Sequence, residues 1–226
     1  STNNTLKNNS ILFGGSSEPA IVLYSASKNI IESNLVLNNG AWGFLIYGSS
    51  NNNTVKSNII SNNTDRGIEI GVANNNLFFN NYFNNSVNAE GSLNNFWNTT
   101  KTSGTNIIGG PYIGGNFWSD YNGTDTDGDG LGDTNLPYNS GGNIANGGDY
   151  LPLTMGAGNQ ISSCTVISAP GLYTLTTDIL NSSAVACINI TASNVIFDGA
   201  GYAIDGIDAA NTYGVYAYNP TTALTN

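Results

Sequence analysis

The residue types with the most specific chemistry in this chain lie in one stretch, Asp125-Thr-Asp127-Gly-Asp129-Gly130-Leu131-Gly-Asp133. Carboxylates at alternate positions around glycine turns let a short loop offer hard oxygen ligands from Asp125, Asp127, Asp129 and Asp133, with the Leu131 backbone carbonyl between them. This is donor chemistry for Ca2+. A helix-flanked calcium hand would need a bidentate Glu where Leu136 stands, and neither flank reads as a helix, so a calcium-binding turn is expected instead. Asp120 and Asp149 are candidates for extra ligands. Five acids between residues 120 and 133 have no base nearby and would repel one another unless a cation sat among them. The alternative is a solvated acidic turn that holds no metal.

Other chemistry-bearing residues are sparse. The chain has no histidine, and its one arginine, Arg66, lies beside Asp65 and Glu69 and reads as an ion pair. Asp198 and Asp205 precede glycines and read as turn formers rather than as a carboxylate pair for glycoside chemistry. No catalytic residue is assigned. Cys164 and Cys187, an even pair in a chain rich in Asn-x-Ser/Thr, fit a disulfide and an oxidising setting, with two buried thiols as the alternative. The candidate glycosylation sites are Asn3, Asn8, Asn52, Asn62, Asn84, Asn98, Asn122, Asn181 and Asn189. Trp97, Trp118 and Tyr121 belong either to an aromatic cap or to a stacking platform for sugars.

The elements that position these groups repeat. Asn4-Thr-Leu-Lys-Asn-Asn9-Ser-Ile11 recurs as Asn29 to Val36, Asn53 to Ile60 and Asn76 to Phe83, with first residues 25, 24 and 23 apart. A near-constant period of this length predicts a solenoid. Leu6, Ile31, Val55 and Phe78 should stack inside it, and Asn9, Asn34, Asn58 and Asn81 should form a corner ladder, because Asn tolerates left-handed backbone and its amides bond along the column. A further apolar segment follows in each rung: Ile21 and Leu23, then Leu45 and Tyr47, then Ile68 and Ile70. Parallel strands about 4.8 Å apart, wound into a tube, are the expected result. After Phe83 the period fades. Two Asn-Phe-Trp triplets and paired glycines suggest a cap over the open end.

Composition agrees with an all-β chain, since helix formers are scarce while Asn, Gly, Ser, Thr and β-branched residues dominate. At 226 residues and 39% hydrophobic it can bury a core. The five basic residues all precede residue 102 and are matched there by five acids, so the net charge of -10 belongs to the second half. That balance argues against nucleic acid and for a cation. No run approaches the roughly 18 apolar residues of a membrane span, and the first residues do not read as a leader, which is expected to lie outside this sequence.

The repeated rungs, Thr105-Asn-Ile-Ile-Gly-Gly-Pro-Tyr, Gly115-Asn-Phe-Trp-Ser-Asp-Tyr, the acidic loop and Asn194 to Gly206 together resemble archaeal, methanogen-type cell-surface proteins. Those carry right-handed parallel β-helix domains of the NosD-like, carbohydrate-binding and sugar-hydrolase type. The resemblance implies an extracellular, largely structural role in a surface layer, sheath or filament, with glycans as a further partner. It also brings copper binding and polysaccharide cleavage, from which this sequence departs: it has no His, one Met, paired cysteines and a single Arg. The expected organisation is a set of closing rungs over 1–98, a cap with the calcium loop over 99–155, and opening rungs of a following β-helix over 156–226. Open solenoid ends on both sides lead to the expectation of a homopolymer growing head to tail.

Overall fold

A computed structural model describes residues 1–12, 17–155, 160–169, 171–193 and 195–218. The chain is all-β, built from short parallel strands stacked as a β-solenoid, with a single-turn 3-10 segment at Ser140–Gly142. Two compact units form, Ser1–Thr154 and Met155–Asn226. No helix among the described residues is long and apolar enough to cross a membrane.

In the first unit each rung contributes one strand to each of three sheets. The first sheet stacks Thr5–Lys7, Ile30–Glu32, Thr54–Lys56 and Leu77–Phe79; the second stacks Ser10–Ile11, Leu35–Leu37, Ile59–Ser61, Tyr82–Asn84 and Phe117–Trp118. The third stacks Ile21–Tyr24, Phe44–Tyr47, Ile68–Ile70 and Ala89–Gly91. Parallel pairing puts Leu6 on Ile31, Val55 and Phe78, and Ile11 on Val36, Ile60 and Phe83. Each inward column therefore carries like over like, and burying one such side chain stabilises by about 1.5–3 kcal/mol. Outward, Glu32 is held between Lys7 and Lys56 of the adjoining rungs at 2.9 and 3.0 Å, which keeps its carboxyl below the usual range.

The third sheet departs from the expected register by one residue. Ile21 and Leu23 pair with Phe44 and Ile46, not with Leu45 and Tyr47, and these in turn pair with Ile68 and Ile70. Phe44 and Ile46 are buried, whereas Leu45 is partly and Tyr47 more fully open to solvent. Because side chains alternate faces, a slip of one residue exchanges the inner set for the outer one.

Corners are made by a two-residue device. A residue with left-handed backbone is followed by an inward Asn: Asn8, Ser33, Ser57 and Asn80, with φ of 59, 55, 56 and 55°, precede Asn9, Asn34, Asn58 and Asn81. The left-handed residue turns the chain, and Asn, whose short polar side chain tolerates that region, is favoured there. The following amide then bonds along the stack, Nδ2 to Oδ1, at 2.8 Å from Asn9 to Asn34, 2.9 Å from Asn34 to Asn58 and 3.0 Å from Asn58 to Asn81. Two further columns run alongside, Asn4–Asn29–Asn53–Asn76–Asn95 and Asn39–Asn63–Asn85.

The solenoid does not stop after Phe83. Phe117–Trp118 pairs with Tyr82 and Phe83, and Phe96 bridges Leu77, so both Asn-Phe-Trp triplets supply the next rung, beyond the expected boundary at residue 98. Their indoles continue the inner columns: Trp97 stacks on Phe78 and Trp118 on Phe83, each with centroids 4.5 Å apart, and Tyr138 covers Trp118 at 4.4 Å.

The second unit has its own core of Ile161, Ile167, Tyr173, Leu175, Ile179, Cys187 and Ile188. Its three parallel sheets comprise Gln160–Ile161, Gly171–Leu175 and Val195–Asp198; Thr165–Ile167, Ala186–Ile190 and Tyr213–Ala217; and Ile179–Ser182 with Ile204–Gly206. Cys164 and Cys187 are joined in a disulfide that ties its first rung to its second.

Candidate metal centre

The acidic loop folds on itself through backbone donors. Asp125 accepts from Gly128 and Gly130 N–H, both at 2.7 Å, and the Asp133 carboxylate accepts from the Thr126 N–H at 2.7 Å and hydroxyl at 2.6 Å. The Thr126 hydroxyl and N–H hold the Asp133 carboxyl below its ordinary value. Leu131, whose carbonyl is the expected backbone ligand, anchors the loop by a side chain only 2% exposed, and its neighbours pair with the 152–154 segment through Gly132 N–H to Pro152 O at 2.8 Å and Thr154 N–H to Gly130 O at 3.0 Å. The result is an exposed turn in which Asp125, Asp127 and Asp133 each bring a carboxylate oxygen within 4.8 Å of the others. Three like charges at that separation favour a bound hard cation.

Asp129 is not part of this group. Its carboxylate pairs with Lys101, which comes from 28 residues earlier and also sits 4.4 Å over the Tyr112 ring, and its other oxygen takes the Leu131 N–H at 2.8 Å. The expectation that no base lies near the loop is corrected by this contact, and Asp129 in turn raises the Lys101 ammonium. Nor do the two candidate extra ligands reach the loop. Asp120 accepts from the Tyr138 hydroxyl at 2.7 Å and the Asn88 amide at 2.6 Å.

Asp149 lies elsewhere, fully buried, at the end of an asparagine column. Asn81 donates to Asn116 at 2.9 Å, and Asn116 passes its backbone N–H to Asp149 Oδ2 at 2.7 Å. Trp118 Nε1 donates to the same oxygen at 2.9 Å and the Leu151 N–H to Oδ1 at 3.0 Å. Burial pushes this carboxyl up to about 7, against donors that all favour the anion. Gly115 makes room for it, since a Cβ there would stand 1.9 Å from Asp149 Oδ1. Sequence reasoning placed Asp149 beside the loop and missed Lys101; for the position of Asp149 at the end of the ladder the signal was Asn116, which heads the second Asn-Phe-Trp triplet in ladder position.

The aromatic candidates resolve as packing. Trp97 and Trp118 are each 1% exposed, so neither offers a face to a sugar, and the Tyr121 hydroxyl donates to the Thr134 carbonyl at 2.5 Å. Arg66 bonds Asp65 at 2.9 Å and Glu90 at 2.7 Å, with Glu69 at 3.7 Å. Asp198 accepts the Ala200 N–H at 2.9 Å within a turn. Among the sequon residues, Asn3, Asn8, Asn52, Asn62, Asn122 and Asn181 are exposed; Asn84, Asn98 and Asn189 are partly covered. The Asn98 side chain accepts the Tyr150 N–H at 3.1 Å.

The family model described as periplasmic copper-binding protein (NosD) matches residues 1–123. No curated protein and no solved structure matches the chain. Copper is not fitted by the donors present, because the soft and imidazole ligands it favours are missing: there is no histidine, the single Met155 sulfur takes a hydrogen bond from Thr174, and both cysteines are joined. The match covers the rungs of the first unit, and since it spans more than half of the sequence, the chain belongs to the family of the periplasmic copper-binding protein NosD.

Proposed function

We propose that this chain is a non-catalytic, extracytoplasmic structural subunit that assembles head to tail with copies of itself through solenoid edges and is stabilised by calcium. The observation that carries the proposal is that both units bury their cores by stacking parallel rungs, so that each rung face is completed by another rung. In the first unit, Leu6 and Ile11 of the first rung are only half-buried, whereas Ile31 and Val36 above them are 2% and 0% exposed. In the second unit, the last-rung strand Tyr213–Ala217 is exposed along its whole length. A rung of a second copy seated on such a face would cover it as the inner rungs are covered. Unpaired strand edges with apolar cross-sections are templates for further pairing.

The extracytoplasmic setting is supported by the disulfide and by the family's periplasmic description. A surface layer, sheath or filament of an archaeal cell is the finer form of this reading, with glycans on the exposed sequons. Calcium enters through Asp125, Asp127 and Asp133, with a carbonyl from the Leu131 turn; because that turn pairs with the 152–154 segment, a bound ion would tighten the cap. Electron microscopy and light scattering of the 226-residue chain, with calcium and with chelator, test both parts. Polymers whose melting temperature rises with calcium are expected. A monodisperse monomer at every concentration would sink the assembly, and a melt indifferent to calcium would sink the metal.

A further inference from the structure

The three asparagine columns of the first unit do not end alike at the cap. The column through Asn81 and Asn116 ends on Asp149. The column through Asn63 and Asn85 reaches Asp120 by way of Asn88, whose Oδ1 takes the Asn85 N–H and whose Nδ2 donates to Asp120 at 2.6 Å. The column through Asn53 and Asn76 stops at Asn95 itself. At each earlier step the lower Asn gives its backbone N–H and its Nδ2 to the Oδ1 above, as Asn53 does to Asn76, both at 2.9 Å. Asn95 takes both donors of Asn76 and turns its own Nδ2 to Ala73 O and Leu93 O, but its backbone N–H meets no acceptor among the described residues.

The strand edge is open at the same place. Phe96 donates its N–H to Asn76 O and its C=O accepts the Phe78 N–H, both at 2.8 Å. Backbone groups alternate sides along a strand, so Asn95 and Trp97 turn theirs away from that rung. There the Trp97 N–H has no partner among the described residues, although Asn95 is 7% and Trp97 1% exposed. Buried N–H groups left unpaired are rare in a folded chain. The other two sheets carry a further rung at this level, Ile144 bridging Gly91 and Leu153 bridging Phe117. Beside residues 95–97 lies instead a groove of about 470 Å³, bordered by the 146–150 loop and by the exposed rings of Phe96 and Tyr150, with no charged side chain in its lining.

We infer that this groove takes an extended peptide segment as a further parallel strand of the first sheet, with asparagine over Asn95, an aromatic residue over Phe96 and glycine over Trp97. Each position follows from the rungs below. The asparagine supplies the Oδ1 that the Asn95 N–H lacks, and the carbonyl of the next residue accepts the Trp97 N–H. With no charged group in the lining to pair with a carboxylate, the amide is the acceptor. The residue over Phe96 points outward between two exposed rings, where an aromatic side chain continues the pairing of like over like. The residue over Trp97 points inward at an indole already enclosed, so glycine fits. Two N–H groups two residues apart on one edge match the repeat of an extended chain, which a sugar ring does not have.

The probe is the capped pentapeptide Thr-Asn-Tyr-Gly-Thr, titrated calorimetrically into the 226-residue chain, with amide hydrogen exchange read at Asn95 and Trp97. Saturable binding at millimolar peptide or below, with exchange slowed at both amides, is expected. Replacing the peptide's asparagine by alanine should weaken binding roughly tenfold, and Phe96→Ala in the protein should weaken it as well. A melt checks that the variant folds, and the peptide series needs only the wild-type chain. No saturable binding, equal binding of the alanine peptide, or unchanged exchange at Asn95 and Trp97 overturns the inference. So does a neutral oligosaccharide, maltohexaose, that protects these two amides while the peptide does not bind.

Discussion

Replacing Asp149 by Asn isolates the one buried charge in the cap. The carboxyl rises from an ordinary 3.8 to about 7 because it is fully buried; its hydrogen-bond partners are N–H groups, and the Tyr121 phenol feels its charge. Folded protein therefore holds this proton more tightly than the unfolded chain does. A carboxyl of raised pKa contributes its full stability below about pH 4, loses it as pH climbs toward 7, and changes little above. About three pH units at about 1.4 kcal/mol each put the loss at about 4 kcal/mol. The amide is neutral throughout. Its oxygen can take the Asn116 and Trp118 donors as a further ladder residue would, but its NH2 then faces the Leu151 N–H, at a cost of about 1–3 kcal/mol.

The variant should therefore be the less stable protein near pH 4, and the two stability curves should converge or cross by pH 8. All three tryptophans, Trp42, Trp97 and Trp118, lie in the first unit, so tryptophan fluorescence during denaturant titration from pH 4 to 8 reports on it specifically. Titration of every other carboxylate cancels in the difference between wild type and variant. A difference that stays constant across that range would refute the reasoning, and would mean that the N–H donors of Asn116, Trp118 and Leu151 keep Asp149 ionised well below neutrality.

Two other outcomes follow from the same chemistry. Asn58 accepts from Asn34 twice and donates to Ile31 O, Lys56 O and Asn81 Oδ1, so Asn58→Ala should cost about 3 kcal/mol or more in a urea melt, and a value near zero would count against the ladder as a stabilising element. Reduction of Cys164–Cys187, which closes a loop of 23 residues, should cost the second unit about 3 kcal/mol in the tyrosine near-ultraviolet signal while the tryptophan transition stays in place; movement of both together would contradict the division into two units.

Where the sequence was legible, one residue type recurred at one spacing. The columns through Leu6 and Ile11 could be read from the period alone because apolar and polar residues alternate around them. Phe44 to Tyr47 is four apolar residues in a row, and parity cannot be read from such a run. The register there is set by glycines: Gly43 lies under Gly67, and a Cβ on Gly43 would stand 2.6 Å from the Gly67 carbonyl, so the Gly-Phe and Gly-Ile pairs were the usable marker. The fifth rung was hidden by an insertion that stretches the step from Asn81 to Asn116 to 35 residues. Lys101 could not be assigned to Asp129 because an ion pair across 28 residues leaves no trace in local spacing.

The same corner device changes what the sequons mean. A left-handed Asn, an inward ladder Asn and a small hydroxyl residue opening the next segment read as Asn-x-Ser/Thr wherever the first position is Asn. Asn3-Asn4-Thr5, Asn8-Asn9-Ser10, Asn52-Asn53-Thr54 and Asn62-Asn63-Thr64 all arise in this way, with φ of 59, 59, 58 and 55° at the first residue. Other rungs put Lys28, Ser33 or Ser57 at the same left-handed position and lose the sequon without losing the turn. These four are thus accounted for by folding alone, and their number carries no weight for glycosylation even though their side chains are exposed. Asn122 differs: it is exposed, lies outside the corners and has no left-handed backbone, so its sequon is not a by-product of the turn. Glycan occupancy at Asn122, rather than the total over the chain, is therefore the observation that bears on whether this solenoid is built to be a glycoprotein.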